Sequence, residues 1–294
     1  MGIIAVMIWG IWPVVSRLGV QQTLTAYDVA AIRFAVAGLI FLPWIIKSGL
    51  GGLSWKQSLL LTLGAGAPYV LISVTGLTYA PASHGGVIIS GCTFLFSTLG
   101  SIWLLGDNPS PQRRLGFILI VAGILSIGYR SLTSGSVDLA NAWVGDLLFV
   151  LSGLLWASYT VNSKRFNVSA VMGAAIVSVF SMVLYLPVYL AFGEPHIFQA
   201  GLTELLTQGI FQGVLAAAVA LVCYTQSVAI LGAAQAAIFV SLAPGLAVIF
   251  GDWILQETPT YAEYTGVSLV ILGLLTSLHL FRLRRPPATA AAKP

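Results

Sequence analysis

Long apolar segments separated by short polar connections follow one another along almost the whole chain. Most are about 17–25 residues long, which is the length that an α-helix needs to cross about 30 Å of hydrocarbon. The pattern predicts ten transmembrane helices over 2–19, 27–46, 57–80, 84–105, 112–130, 144–162, 168–193, 206–231, 234–255 and 259–281. We therefore expect an all-α integral membrane protein.

Composition supports this interpretation and excludes other classes of protein. Only 7% of the 294 residues are charged, 58% are hydrophobic, and the mean hydropathy is +0.95. Nine acidic and thirteen basic side chains are too few to build an ordinary water-facing surface. The net charge of +4 does not indicate nucleic-acid binding, because the basic residues stand at the ends of apolar segments and form no continuous stripe.

The positions of Lys and Arg predict the orientation of the helices, because cytoplasmic connections carry an excess of these residues. If the N-terminus is cytoplasmic, only Arg17 and Arg130 fall at the outer side. The residues at the inner side are Lys47, Lys56, Arg113, Arg114, Lys164, Arg165, Arg282, Arg284, Arg285 and Lys293. We therefore expect a multi-pass protein of the cell inner (plasma) membrane, surrounded by membrane lipid, with both termini in the cytoplasm.

The second half of the chain repeats landmarks of the first half. At a spacing of 150 residues, the pairs are Trp103 and Trp253, Asp107 and Glu257, Pro109 and Pro259, Gly116 and Gly266, and Gly123 and Gly273. At a spacing of 147 residues, they are Trp9 and Trp156, Trp12 and Tyr159, Ser16 and Ser163, and Arg17 and Lys164. Because each half has five segments, an odd number, the two halves must cross the membrane in opposite senses. Such a 5+5 inverted-topology repeat is typical of secondary transporters.

The repeat also predicts the domain organisation. We expect a first five-helix repeat over 1–130, a linker over 131–143 and a second five-helix repeat over 144–283. Residues 284–294 are rich in Ala and Pro, which predicts a disordered cytoplasmic tail. The repeated glycines predict that the fifth and tenth helices pack outside the others or at a dimer face, so a monomer and a homodimer both stay open.

Two corner motifs are similar to those of a known family. The motifs, with the runs that accompany them, are Leu105-Gly106-Asp107-Asn108-Pro109, Leu255-Gln256-Glu257-Thr258-Pro259, Trp9-Gly10 and Tyr79-Ala80-Pro81-Ala82-Ser83-His84. With them, essentially the whole chain resembles the drug/metabolite transporter superfamily, in particular the EamA-type bacterial exporters with ten spans. The resemblance implies an exporter and says little about its substrate. The chain departs from the family pattern at Asp107, where Glu is more common, and at Phe94, where the counterpart of Pro244 would stand.

Aromatic and polar side chains deep in the predicted helices are candidates for substrate binding. Trp9 and Trp12 lie near the membrane centre and not at an interface, where Trp normally collects, and aromatic faces can stack on an organic solute. A glutamine in hydrocarbon needs a polar partner, which is either another helix or a bound solute. The candidates are Trp9, Trp12, Tyr69, Ser90, Thr93, Trp156, Tyr159, Tyr224, Gln226 and Gln235. Packing between helices is the alternative role for each.

Charged residues and prolines are candidates for gating or coupling. Arg33 and Asp252 both fall in the outer part of the membrane, where they would form an outer gate or a structural pair, or extend separately to the lipid headgroups. His84 would couple transport to protons or stabilise a helix end. Pro68 and Pro244 interrupt helices, which could bend there to open and close a cavity.

The acids at the two corners, Asp107 and Glu257, stand just before Pro109 and Pro259. Proline favours the first position of a helix, and an acid beside a helix N-terminus is stabilising. We therefore expect both acids to cap the helices that follow them.

Together these features predict a secondary active transporter of a small organic solute, working by alternating access, and no enzyme activity. The sequence has no ATP-binding P-loop, so a proton gradient or a counter-substrate would drive transport. The predicted membrane centre holds no acid and no base, which favours a neutral or zwitterionic metabolite, such as an amino acid, or an amphipathic drug-like compound. A phosphorylated-metabolite or nucleotide-sugar exchanger, which would need basic groups, is one alternative. A non-transporting membrane receptor or scaffold is the other.

We expect no cofactor and no metal. Cys92 and Cys223 lie in apolar segments, where cysteine is usually a packing residue and where no disulfide framework or Cys/His metal site is available. An intramembrane aspartyl enzyme is also excluded by the expected topology, because Asp28 and Asp107 would lie on opposite sides of the membrane.

Overall fold

The computed structural model describes residues 1–133 and 141–278, and these residues are almost entirely helical. The predicted tail at 284–294, the central part of the linker and the basic residues from Arg282 onward lie outside the described residues. Within the described ranges, nine helical stretches are long and apolar enough to cross a membrane. A tenth, Tyr261–Ser277, has 17 residues and packs along Pro111–Thr133. The prediction of an all-helical membrane protein with ten spans is confirmed.

The helices follow one another with short connections. They are α1 (Gly2–Gln21), α2 (Ala26–Ser48), α3 (Trp55–Ala65), α4 (Ala67–Tyr79), α5 (Ala82–Leu105), α6 (Pro111–Thr133), α7 (Ala142–Arg165), α8 (Ala170–Phe192), α9 (Leu202–Gln208), α10 (Ala220–Leu231), α11 (Ala233–Val240), α12 (Ala243–Leu255) and α13 (Tyr261–Ser277). A 3₁₀ turn at His196–Phe198 precedes α9, and a π-helical segment at Gly209–Val219 joins α9 to α10. The third, eighth and ninth spans are therefore made of more than one element. We call the end of the bundle that holds the start of α1 the inner end, and the opposite end the outer end.

Two spans are interrupted where proline predicted a bend. The third span breaks between α3 and α4, just before Pro68, and the Ala67 N–H at the break donates to Ser181 Oγ at 3.1 Å. The ninth span breaks between α11 and α12, just before Pro244. In contrast, α5 continues without a break through Phe94, because nothing there removes a backbone donor.

The α5–α6 and α12–α13 corners share one backbone geometry. Gly106 and Gln256 end their helices with left-handed φ values of +70° and +55°. The next residue, Asp107 or Glu257, donates its N–H back into the preceding helix at 3.2 Å. Residues that are 150 positions apart therefore have the same backbone geometry at the two corners, as a structural repeat requires.

The prediction that the corner acids cap the following helices is wrong. α6 and α13 begin after Pro109 and Pro259 rather than at them, so both acids stand too far from the first turn. α13 is capped by Thr260, whose hydroxyl accepts from the Glu263 N–H at 3.4 Å. The Glu263 carboxylate accepts from the Thr260 N–H at 2.7 Å, which completes a capping box.

The first helix of each half packs against the other half. α1 lies on α12, and α7 lies on α5. Both crossings depend on glycine: a Cβ on Gly10 would lie 2.6 Å from Leu246 Cβ, and a Cβ on Gly153 would lie 2.4 Å from Cys92 Cβ. Both halves therefore contribute side chains to the centre of the protein.

The glycines of the fifth and tenth spans face each other inside the chain. A Cβ on Gly116 would lie 2.4 Å from the Gly273 carbonyl oxygen, and a Cβ on Gly123 would lie 2.6 Å from the Gly266 carbonyl oxygen. These four glycines bring α6 and α13 into close contact within the chain, and a dimer face on these two helices stays a prediction.

Candidate substrate-binding site

Four aromatic side chains form a row across the centre of the protein, which we call the aromatic row. Trp12 of α1 stacks on Tyr69 of α4, with ring centroids 6.2 Å apart and planes 19° apart. Tyr69 meets Trp156 of α7 at 4.8 Å, and Trp156 meets Tyr159 at 5.6 Å. The row therefore joins the first helices of the two halves through the break in the third span. The structure brings these four predicted residues together, and their contact with a substrate stays a prediction.

Trp9 and Tyr224 lie beside this row as a separate pair. Their ring centroids are 5.4 Å apart, and the Trp9 indole N–H donates to the Ala216 carbonyl oxygen at 3.4 Å. Trp9 lies nearly one helical turn before Trp12, so this pair extends the aromatic surface towards the inner end.

A fully buried glutamine, Gln212, connects the aromatic row to three other side chains. Its Oε1 accepts from the Trp12 indole N–H at 2.8 Å and from Arg33 Nη1 at 3.2 Å. Its Nε2 donates to Ser16 Oγ at 2.8 Å and to Gln208 Oε1 at 3.2 Å. Gln212 lies in the π-helical segment, and such segments are often found at functional sites.

The expected pair of Arg33 and Asp252 is absent from the ion pairs of the described residues. Arg33 is on α2, which packs against α8 and the π-helical segment, whereas Asp252 is on α12, which packs against α1 and α5. Arg33 instead binds Gln212 and lies close enough to Tyr69 for an electrostatic interaction. Arg33 lies two turns into α2 from the outer end, and the expectation that the membrane centre holds no basic group stays a prediction.

A charge pair at the outer end, which we call the outer latch, joins Arg17 of α1 to Glu257 of the α12–α13 corner. Both side chains are largely buried, at 16% and 15% exposure. Arg17 also donates to the carbonyl oxygens of Leu77 and Ala80 at the end of α4, and Glu257 accepts from the Ala82 N–H at 2.9 Å. Glu257 therefore links the halves across the start of α5.

Burial raises the pKa of the Glu257 carboxyl above its ordinary value, although the Arg17 charge and the Ala82 N–H act in the opposite direction. Glu257 stands in the loop between α12 and α13, at the end of the membrane-spanning helices. It therefore accepts a proton at a higher pH than an ordinary surface carboxylate does.

The repeat-related pair at the inner end, which we call the inner latch, joins Lys164 of α7 to Asp107 of the α5–α6 corner. The Nζ–Oδ2 distance is 3.6 Å, and the side chains are 66% and 38% exposed. Lys164 is the repeat partner of Arg17, and Asp107 is the repeat partner of Glu257. The same kind of ion pair therefore occurs in both halves of the protein. It is largely buried at the outer end and more exposed at the inner end.

A second cluster of buried polar side chains lies near the outer end. His84 Nδ1 is 2.8 Å from Asp146 Oδ1, and His84 Nε2 is 3.2 Å from Glu263 Oε1. Ser131 Oγ donates to Asp146 Oδ2 at 2.5 Å, and Ser83 Oγ donates to Glu263 Oε1 at 3.0 Å. His84 is thus held between helices of both halves, and its role in proton coupling stays a prediction.

The remaining candidates lie outside the aromatic row. Ser90 and Thr93 are half-buried on α5, with Thr93 Oγ1 3.5 Å from the Gly153 carbonyl oxygen. Gln226 and Gln235 are exposed near the inner end. The sequence interpretation missed Gln208 and Gln212, although two glutamines four residues apart in an apolar segment were a visible signal.

Within residues 1–133 and 141–278, no group of His, Cys, Asp and Glu side chains could hold a metal ion. The polar groups of the site are instead hydrogen-bond donors and acceptors between aromatic faces. Such a set can bind and orient an organic solute.

Comparison with known proteins agrees with this architecture. The model of the EamA-like transporter family matches residues 1–129 and 143–278. The chain is similar to the uncharacterized transporter YetK of Bacillus subtilis (strain 168), with 25% identity over 98% of this chain and 88% of the relative. It is also similar to an uncharacterized transporter of Archaeoglobus fulgidus, with 22% identity over 92% and 93% of the two chains. A solved crystal structure has the same fold, with a TM-score of 0.61 and 17% identity over 94% of each chain.

The EamA fold is a 5+5 repeat, the family model matches both halves of the chain, and both relatives are described as transporters. The chain is a multi-pass membrane protein that belongs to the EamA-like transporter family, within the drug/metabolite transporter superfamily.

Proposed function

We propose that the protein is a secondary exporter of the inner (plasma) membrane, which moves a small neutral or zwitterionic organic solute by alternating access. The observation that carries this proposal is the unequal state of the two latches. In an inverted repeat, the two ends of the pathway are built from equivalent parts. When one end of the pathway is closed and the other is open, the contacts that close a gate are made at the closed end, and the repeat-related contacts at the open end are not.

The outer end has the contacts of a closed gate. The outer latch ties α1 to the α4–α5 junction and to the α12–α13 corner. At that junction, Ala80 and Ala82 are both 0% exposed. In the proposed cycle, the outer latch would have to be released before a solute could leave the aromatic row through this end.

The inner end has the contacts of an open gate. The inner latch is long and exposed, and the turn between α10 and α11 is open, with Ile230 at 73% and Leu231 at 41% exposure. This turn is the repeat counterpart of the buried α4–α5 junction. In the proposed cycle, such a difference between the two ends would belong to an inward-open state.

The interrupted spans supply the points at which the gates would move. α4 and α12 each begin at a proline-containing first turn, where a helix can change direction without breaking further hydrogen bonds. Movement at Pro68 would shift Tyr69 and the outer junction together. Movement at Pro244 would shift α11 and the inner turn.

The test is transport by the purified protein in liposomes, with a panel of labelled metabolites and with or without a pH gradient. We expect saturable uptake of at least one small organic solute and loss of that uptake in Trp12→Ala, which removes a ring of the aromatic row. Trp103→Ala is the matched control, because Trp103 is 84% exposed on the outside of the bundle. Equal loss in both variants, or no uptake of any solute, would contradict the proposal.

A further inference from the structure

We infer that Arg33 binds the carboxylate of the transported solute, and that the substrates are zwitterionic amino acids with a flat apolar body. This inference rests on the proposed transport function and specifies its substrate class. It begins from a charge that has no opposite charge beside it. Arg33 lies two turns into α2, inside an apolar span.

The neighbours with which Arg33 interacts among the described residues are all uncharged in their ordinary state. Nη1 donates to Gln212 Oε1 at 3.2 Å, the guanidinium lies 5.9 Å from the Phe34 ring centroid, and Tyr69 is close enough to interact electrostatically. Among the described residues, no carboxylate forms an ion pair with Arg33. A guanidinium has five N–H donors, so most of its hydrogen-bonding capacity is left for a ligand.

The hydrogen bonds around Arg33 fix the position of its guanidinium group. Gln212 is 0% exposed and is itself held by Ser16 and Gln208. Because the same Gln212 oxygen accepts from Arg33 and Trp12, the guanidinium is positioned beside the first ring of the aromatic row. Arg33 is itself only half-buried, so the protein does not fully enclose it.

An unpaired charge within a membrane span is costly, and such charges usually face a water-filled path or a partner. A carboxylate can accept two parallel N–H bonds from one guanidinium. A phosphate ester carries about two charges and would need a second cation. No other Lys or Arg of the described residues lies as deep within a span as Arg33.

The aromatic row defines the remainder of the ligand. Tyr69 lies within electrostatic range of Arg33 and contacts the rings of Trp12 and Trp156. A solute with its carboxylate on Arg33 would therefore place its body against these faces, and a flat ring would stack there. The site therefore favours a ligand that has one acidic group next to a flat apolar surface.

The test compares binding of two probes, 3-phenylpropanoate and 3-phenylpropanamide, which differ in the acid group alone. Binding to the purified protein is measured by quenching of Trp fluorescence at a pH where the acid is ionised. We expect the acid to bind about 10- to 100-fold more tightly than the amide, as charge-assisted hydrogen bonds do. Arg33→Gln should abolish this preference, because it should weaken binding of the acid much more than binding of the amide.

Arg165→Gln is the matched control. Its guanidinium also lies 5.9 Å from a phenyl ring, that of Phe166, but at the exposed inner end of α7. We expect this variant to keep the full preference for the acid. If Arg33→Gln does not fold, Gln212→Glu replaces it: an internal carboxylate beside Arg33 should compete with the ligand and reduce acid binding by about the same factor.

Equal binding of acid and amide by the unmodified protein would overturn the inference. So would an unchanged acid preference in Arg33→Gln, or tighter binding of phenyl phosphate than of the carboxylate. These results leave the proposed function intact if the liposomes still take up a solute of the panel. Failure of the proposed function is recognised separately, by the absence of uptake of any solute.

Discussion

The α12–α13 corner at the outer end and the α5–α6 corner at the inner end share the same local structure and differ in their long-range contacts. The left-handed residue, the backbone hydrogen bond and the order of buried and exposed positions recur from one corner to the other. However, the Glu257 side chain beside Arg17 is 15% exposed, whereas the Asp107 side chain beside Lys164 is 38% exposed. The comparison teaches that local sequence determines the structure of the corner, while contacts with distant parts of the chain determine how deeply its acid is buried.

Removing the arginine of the outer latch is expected to have the largest effect. Arg17→Ala leaves Glu257 largely buried without its counter-charge, and breaking a buried pair in this way costs about 3–5 kcal/mol. We expect a strong decrease in the thermal stability of the detergent-solubilised protein. Arg17→Glu combined with Glu257→Arg should recover part of that stability, and no recovery would show that the two charges do not act as a pair.

Exchanging the left-handed residues of the two corners should have an intermediate effect. Gly106→Ala places a Cβ at φ +70°, which costs about 1–2 kcal/mol. Gln256→Gly removes a Cβ from the same conformation and should be neutral or slightly stabilising. Thermal unfolding measures both, and equal destabilisation by the two substitutions would contradict the equivalence of the corners.

Removing the lysine of the inner latch should change stability least among the substitutions. Lys164 is 66% exposed, and exposed ion pairs contribute about 0–1 kcal/mol. Lys164→Ala should therefore unfold within a few degrees of the unmodified protein. It should still slow transport, because the inner latch has to close once in each cycle. Unfolding as early as Arg17→Ala would show that the inner latch is already closed.

Acidification of the outer side should release the outer latch by a small, graded amount. The raised pKa of Glu257 means that it loses its charge at a higher pH than an ordinary carboxylate does as the pH falls. The attraction to Arg17 then weakens, and cysteine labelling at the α4–α5 junction should increase. Glu257→Gln should show high labelling at every pH, and a pH response that persists in this variant would assign the effect to another group, such as His84.

Much of the fold was predictable because its determinants are local. The apolar segments gave the spans, and the repeated Trp, Gly and acid positions gave the two halves. Proline at Pro68 and Pro244 gave the breaks. These features depend on hydrogen bonds and hydrophobicity within a few residues, so a single sequence is sufficient to recognise them.

The site was less predictable because it depends on which face of each helix turns inward. In the eighth span, the π-helical segment changes the rotation of the helix. Gln212 therefore faces the centre, whereas Gln226, which the sequence interpretation favoured, is exposed. The hydrogen-bond partners of Arg33 and Glu257, which are Gln212 and Ala82, lie more than 170 residues away along the chain, and periodicity within one segment does not identify them.

The central claim is that the outer end is closed while the inner end is open, and that a solute reverses this. Single cysteines at Ala80 and Ile230 test it most directly, in a variant in which Cys92 and Cys223 are replaced by Ala. Without solute, a membrane-impermeant maleimide should label Ile230→Cys from the inner side and leave Ala80→Cys unlabelled from the outer side. During transport of a solute, labelling of Ala80→Cys should increase and labelling of Ile230→Cys should decrease. Labelling that is the same at both positions, or that never changes with solute, would contradict alternating access.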